Sequence, residues 1–147
     1  MSGRSRFAAY ALCVADGHIL LSQLWENDPS AGKWTLPGGK IDWLEEPQDA
    51  VRRELWEETG LPGEIVRPLG IDTKVLPPWR THDELHVVRF VFEVRAAGTP
   101  HVQEVGGSTV AAAWHQVLEV SNLPTTSLVS SALAMDESGS GHQHRPT

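Results

Sequence analysis

Cysteine is nearly missing from this chain: Cys13 is the only one among 147 residues, so no intramolecular disulfide can form. Its place in the apolar run Ala8 to Val14 reads as a packed thiol rather than a nucleophile, and a lone thiol favours a reducing compartment. Long apolar runs are lacking as well. None approaches the roughly 20 residues that span a bilayer. The apolar stretch after the basic start Arg4-Ser5-Arg6 is soon cut by Asp16-Gly17-His18, which argues against a secretory signal. The expected setting is cytoplasmic, without a membrane partner. Positive charge is also scarce: 12 Lys and Arg face 19 Asp and Glu, for a formal net charge of −7. No basic stripe is left to track a phosphate backbone, so polymeric nucleic acid is disfavoured as a partner.

The acidic excess is concentrated rather than spread. Seven acidic residues and two arginines lie between positions 42 and 58. Within GKIDWLEEPQDAVRRELWEETGL, residues 39–61, Glu54, Glu57 and Glu58 stand at i, i+3 and i+4. On a helix they share one face, within an arc of about 100°. Such a run is often a solvated surface, yet this one breaks local rules. Like charges at i, i+4 repel by roughly 0.2–0.5 kcal/mol per pair. Glu57 and Glu58 also precede Gly60, a C-cap candidate, where the helix dipole disfavours anions by about 0.3–1 kcal/mol each. A bound cation would reverse the sign of both conflicts, and converging carboxylates suit a hard divalent ion, Mg²⁺ or Mn²⁺.

The whole spacing resembles the Nudix box, G-x5-E-x7-R-E-(aliphatic)-x-E-E-x-G-(aliphatic). Gly39, Glu45, Arg53, Glu54, Leu55, Glu57, Glu58, Gly60 and Leu61 meet every specified position. Trp34-Thr35-Leu36-Pro37-Gly38-Gly39 is similar to the strand and glycine turn that lead into that box, and a looser likeness runs from about Phe7 to Met135. The resemblance implies an α/β architecture, the Nudix α/β/α sandwich with a mixed β-sheet, as one domain over 1–135. Residues 136–147, without apolar side chains, read as a disordered tail.

The element pattern is compatible with that fold. Phe7 to Val14 and His18 to Trp25 flank Asp-Gly and predict a hairpin. Glu26 to Lys33 reads as a polar loop, Trp34 to Leu36 as a short strand, and Pro37-Gly38-Gly39 as a tight turn. Pro47 opens the box helix and Gly60 closes it, with Ala50, Val51 and Leu55 on its buried side. Gly63 to Val75 and Glu84 to Arg95 read as strands separated by Pro77-Pro78-Trp79, and Ala111 to His115 as a further strand. Val117 to Asn122 and Thr126 to Met135 are helical candidates.

By resemblance, Glu54, Glu57 and Glu58 ligate the metal together with a carbonyl at Gly38, and one glutamate acts as general base. Glu54 and Glu57 both stay open for that role. Arg53 is the third catalytic candidate, orienting the carboxylates by fork-shaped hydrogen bonds. Glu45 and Gly39 support them, Glu45 as a partner beneath the network or as an outer ligand, and Gly39 by letting backbone approach. Glu104 and Glu84 compete as an additional ligand or base from a loop. Among six tryptophans, Trp34, Trp43 and Trp79 lie near the expected pocket, where stacking on a base competes with core packing. Trp34 and Trp79, with His86, are the substrate-contact candidates.

The activity so implied is metal-dependent cleavage of a pyrophosphate linkage in a nucleoside diphosphate linked to another moiety: a nucleoside triphosphate, ADP-ribose or a nucleotide sugar. Pro77, sixteen residues after Leu61, is a weak pointer to ADP-ribose. The tyrosine associated with dinucleoside polyphosphates is absent at a similar place. A catalytically silent nucleotide-sensing module is the alternative, although such domains usually lose box glutamates. An isoprenoid diphosphate isomerase would need a reactive cysteine, and Cys13 is poorly placed for it. Relatives are frequently homodimers.

Overall fold

The computed structural model describes residues 3–25, 30–80 and 82–143, with side chains to 138. Strand β1 (Arg4–Leu12) is the middle of the architecture. It runs parallel to β7 (Leu85–Arg95), with Phe7 beside Val88, and antiparallel to β5 (Gly38–Lys40). The long β6 (Glu64–Leu76) pairs antiparallel with β7, completing a mixed sheet of order β5-β1-β7-β6. A second sheet joins β2 (Val14–Ala15), β3 (His18–Leu24) and β4 (Trp34–Thr35), and β8 (Thr109–Gln116) pairs with β3. Helix α1 (Pro47–Thr59) packs on β1 and β5, and α2 (Ser127–Gln143) packs on β6.

Period-2 alternation along β1 distributes the core between the two helices. Ala9, Ala11 and Cys13 join Ala50, Val51 and Leu55 of α1 in one buried cluster. Leu12 joins Leu21, Leu36, Val91, Leu128 and Val129 in the other, closed by α2. Apolar layers on both sides of the strands make the α/β/α arrangement that the box resemblance implied. Cys13 is 1% exposed, and burial pushes its thiol up to about 12, so it packs and does not react. Among the described residues no helix is long and apolar enough to cross a membrane.

Three expectations need correction. The Asp-Gly hairpin exists, with Asp16 and Gly17 both at positive φ, but it joins β3 to the two-residue β2 rather than to β1. The chain changes sheets at Cys13, which lies between β1 of one sheet and β2 of the other. Pro37-Gly38-Gly39 is not a free turn: Gly38 and Gly39 enter β5, where they pair with Tyr10 and Ala9. Helix α2 also runs past Met135 to Gln143, so the segment from Asp136 is not a wholly unstructured tail. Extending an existing helix needs no new nucleus, and Arg67 holds Asp136 by an ion pair at 3.3 Å. Residues 144–147 of that predicted tail, and 26–29 of the predicted polar loop, lie outside the described residues.

Candidate active site

Helix α1 begins as its sequence predicts, with Pro47 in the first turn, and ends at Gly60, whose left-handed φ of 71° lets its N–H reach Trp56 O at 2.8 Å. Ala50, Val51 and Leu55 anchor one side. That anchoring turns the charged side toward β5 and the loop before the helix.

Arg53 is the hub of that side. Its Nε and Nη2 grip the two oxygens of Glu45 at 2.9 and 3.0 Å, a bidentate fork. Nη1 donates to Glu54 Oε1 at 3.0 Å and to Glu57 Oε1 at 2.8 Å, and Nη2 also reaches Lys40 O. Arginine bonding and the Asp42 backbone hold the Glu45 carboxyl below its ordinary value, against a smaller opposing effect of desolvation. The loop Asp42–Glu45 is tied in turn, since Asp42 N–H donates to Glu45 Oε1 and Glu45 N–H to Asp42 O, both at 3.0 Å.

Glu58 lies deeper, at 5% exposed, and accepts the Gly38 N–H at 3.4 Å. Desolvation first, then the hydrogen bond and charge of Glu54, push its carboxyl well above the usual range. The Gly38 N–H acts in the opposite sense. So does the dipole of the Ser22 hydroxyl, which is buried and makes no full hydrogen bond among the described residues. Gly39 brings backbone against this pair: a Cβ there would stand 2.9 Å from Glu54 Cδ. At Gly38, φ is 152° and a Cβ would collide with Ala9 O.

Glu54 and Glu58 line a cavity of about 430 Å³ with Gly38, Gly39 and Glu104. Backbone bonds from Gln103 and Glu104 to Glu57 O, both at 2.9 Å, fasten the Glu104 loop to the helix end. Desolvation, with the charges of Glu57 and Glu54, raises the Glu104 carboxyl. Glu84 is exposed and does not line this cavity, so of the two competing acids only Glu104 reaches the cluster. We therefore expect Glu104→Gln to lower kcat by about a hundredfold, at the low end of general acid–base effects, with Glu84→Gln unchanged in the same steady-state assay. Equal rates for the two variants would remove Glu104 from the chemistry.

The three substrate-contact candidates do not meet the cavity either. Trp34 packs in the α2-side core with its ring edge-on to His115, centroids 4.4 Å apart. Trp79 is carried on the bridge to His82 with Arg80 over its ring, and His86 is an exposed β7 residue paired with Val75 on the outer strand. Instead the cavity holds Tyr10, Lys74 and Arg89. Arg89 is 9% exposed, pairs with Asp72, and keeps an Nε with no partner among the described residues. Strand alternation carried the missed signal: Leu85, Val87 and Val91 point inward, and Arg89 occupies the same register.

Helix, glycine strand and arginine-held carboxylates together define a fold and a site that comparison with other proteins places in a family. Residues 4–133 match the NUDIX domain. A 120-residue stretch is 32% identical to the Nudix hydrolase YvcI of Bacillus subtilis, covering 76% of this chain and 68% of that one. A crystallised MutT NUDIX hydrolase from Burkholderia pseudomallei superposes with a TM-score of 0.69 at 31% identity, over 90% of this chain and 98% of the other. An RNA pyrophosphohydrolase of Cereibacter sphaeroides is 43% identical over 56 residues, 38% of this chain and 32% of its own length. The chain thus spans about a third of that relative. The chain belongs to the Nudix family.

The donor set fits a hard divalent cation. It offers the carboxylate oxygens of Glu54 and Glu58, and these two carboxyls repel at close quarters in a desolvated place, a conflict that a cation resolves. Among the described residues no three acidic, histidine or cysteine side chains converge as a ready cage. Mg²⁺ does not require one, since it takes one or two carboxylates and completes its shell with water and substrate phosphate.

The proton balance gives a test. A carboxyl with a raised folded value contributes stability that is complete below its unfolded value of 4.5 and is lost as pH rises through the folded value. Glu45, shifted the other way, contributes above 4.5 and is lost as pH falls. Through Glu58, the Tm of the metal-free protein should decline as pH rises toward 8, and Mg²⁺ should raise Tm more at pH 8 than at pH 5.5, because binding needs deprotonated carboxylates. Calorimetric scans with chelator or Mg²⁺ decide it. An Mg²⁺ increment that shrinks with pH would contradict the assignment.

Proposed function

We propose that the protein is a metal-dependent hydrolase that cleaves the pyrophosphate linkage of a nucleoside diphosphate joined to a second moiety. The observation that supports it best is the Glu54–Glu58 pair in a cavity shared with Lys74 and Arg89. Acids at one part of the cavity suit divalent ions, and cations in the same space suit phosphate oxygens. Glu54, Glu58 and a carbonyl at Gly38 are the groups that would hold Mg²⁺ or Mn²⁺, with Glu57 within the same arginine-tied cluster. When bound, such an ion neutralises charge on phosphate and acidifies attacking water.

The chain's own residues do the rest. Arg53 fixes the carboxylate orientations through its fork to Glu45. Lys74 and Arg89 bind the anionic chain. Glu54, Glu57 or Glu104 takes the proton from water; the raised Glu104 carboxyl suits it to a base that works nearer neutral pH. A cytoplasmic setting fits a single, sealed thiol.

The deciding experiment is a screen with Mg²⁺ and Mn²⁺, its products separated by chromatography. Nucleoside triphosphates, ADP-ribose, nucleotide sugars and dinucleoside polyphosphates belong in it. A 5′-triphosphorylated RNA belongs too, since relatives bear the name RNA pyrophosphohydrolase. Metal-dependent release of a nucleoside monophosphate, phosphate or pyrophosphate is expected. Binding without turnover across the whole set would leave a nucleotide-sensing module in its place.

A further inference from the structure

Helix α1 covers only part of its side of the first sheet. It packs on β1 and β5, while α2 lies against the opposite face of β6. Cross-strand register shows what is left open, since paired residues present their side chains on one face. Phe7, Val88 and Thr73 form one row across β1, β7 and β6, and Phe90 and Ile71 continue the next row from Ala9. Ser5, His86 and Val75 form a third. Phe90 packs against the α1-side cluster, which assigns all three rows to that side. Arg6, Lys74 and Arg89 alternate onto the other face, toward the catalytic cavity.

This open face is apolar and continues into the loop that precedes α1. Phe7, Ile71 and Val75 are each more than half exposed. Phe7 and Phe90 also line a hollow of about 580 Å³ together with Trp43 and Leu44. Trp43 is 90% exposed, and Leu44 is 86% exposed at a φ of +67°, a left-handed conformation unfavourable for a leucine. Packing among the described residues explains neither side chain. At about 150–250 Å² for a large side chain, the bare fractions of these five residues come to roughly 600 Å². That is the upper end of what a monomer leaves in one patch. With Ser5, Thr73 and His86 between them, the face approaches the roughly 800 Å² that each partner brings to a stable interface.

We infer that a second copy of this chain docks on this face, sheet against sheet about a two-fold axis, and that the contact steadies the catalytic carboxylates. Three observations name the occupant. The area matches one side of a stable dimer. The three rows hold no lysine, arginine or carboxylate, so copies that each carry −7 can approach here without setting charge on charge. An anionic membrane surface would instead be met by lysine and arginine. The same patch also bears a projecting indole with a hollow beside it, the self-complementarity that a two-fold contact asks of a single surface. The link to the chemistry runs through the loop. Trp43 and Leu44 lie between Asp42 and Glu45, which bond each other at 3.0 Å, and the Arg53 fork grips the Glu45 carboxylate. A partner seated on Trp43 immobilises that loop, and with it the arginine that orients Glu54 and Glu57. The coupling rests on the hydrolase reading; the interface does not.

Analytical ultracentrifugation of the parent, from low to high micromolar protein, should show a monomer–dimer equilibrium. Ile71→Asp and Trp43→Ala should each weaken association about tenfold or more, the scale for loss of one buried apolar anchor. Circular dichroism and Tm confirm that the variants fold; Trp43 is so exposed that its truncation removes nothing from the monomer's packing. A parent that stays monomeric overturns the inference, whether or not it pellets with phosphatidylserine vesicles. So does a dimer that neither substitution weakens. Steady-state rates test the coupling: kcat per protomer should fall as the parent is diluted through dissociation, and by up to about tenfold in folded Ile71→Asp, the smaller end of what loss of an orienting contact costs. A monomeric Ile71→Asp with the parent's kcat overturns the coupling. If the parent hydrolyses nothing, the hydrolase reading fails separately, while sedimentation still decides the interface.

Discussion

Glu58→Gln is expected to reduce turnover by roughly 10²- to 10³-fold while leaving the metal-free protein at least as stable as the parent at pH 8. The two halves have one cause. The Glu58 carboxyl is buried beside Glu54 and is held against its preference for ionisation. A glutamine keeps the shape and the contact to Gly38 but carries no charge, so the desolvation and repulsion disappear. What is lost is an anionic oxygen for a cation, whose charge stabilisation is worth several kcal/mol, with each 1.36 kcal/mol about tenfold in rate. Steady-state kinetics and a thermal scan in chelator suffice. Full activity would remove Glu58 from the ligand set, and a large drop in metal-free Tm would mean that its charge supports the fold.

Arg53→Ala should lower kcat by about 10- to 100-fold, the range for groups that orient ligands, and Arg53→Lys should not restore it. One guanidinium serves Glu45, Glu54, Glu57 and the Lys40 carbonyl simultaneously. An ammonium is a point charge and cannot reproduce the fork. Arg53 is 31% exposed, so solvent screens its ion pairs. A stability loss of about 1–2 kcal/mol, or several degrees in Tm, is the expected scale. Affinity for Mg²⁺ by calorimetry separates misorientation from unfolding: weakened binding in a folded variant is the predicted outcome. Recovery of the parent rate in the lysine variant would show that charge alone is sufficient.

The part of this molecule that depends on neighbours in sequence is legible in the residues themselves. Pro47, Gly60 and the apolar spacing of Ala50, Val51 and Leu55 specify one helix, and the acids on its other side follow from 3.6 residues per turn. The strands β6, β7 and β8 are marked by their β-branched and aromatic runs. Distant pairing is not marked. Nothing local says that β1 abandons the Asp-Gly hairpin for β7, about 80 positions later, since its alternation serves either partner. The same limit governs the site. Glu104 joins Glu54 through a loop bonded to the helix end, and Arg89 and Lys74 arrive from other strands. Trp34 and Trp79 are plausible by proximity in sequence, but their rings are engaged elsewhere, by packing against His115 and by Arg80.

Cys13 sits where the chain crosses from one sheet to the other, against the α1 side of the interior. Because it is the only sulfhydryl in the chain and is sealed from water, a thiol-specific dye can reach it only while the molecule is open. The labelling rate therefore measures how often the structure around this crossing opens, with no engineered probe, and its slowing by added nucleotide would measure how tightly each ligand holds it closed.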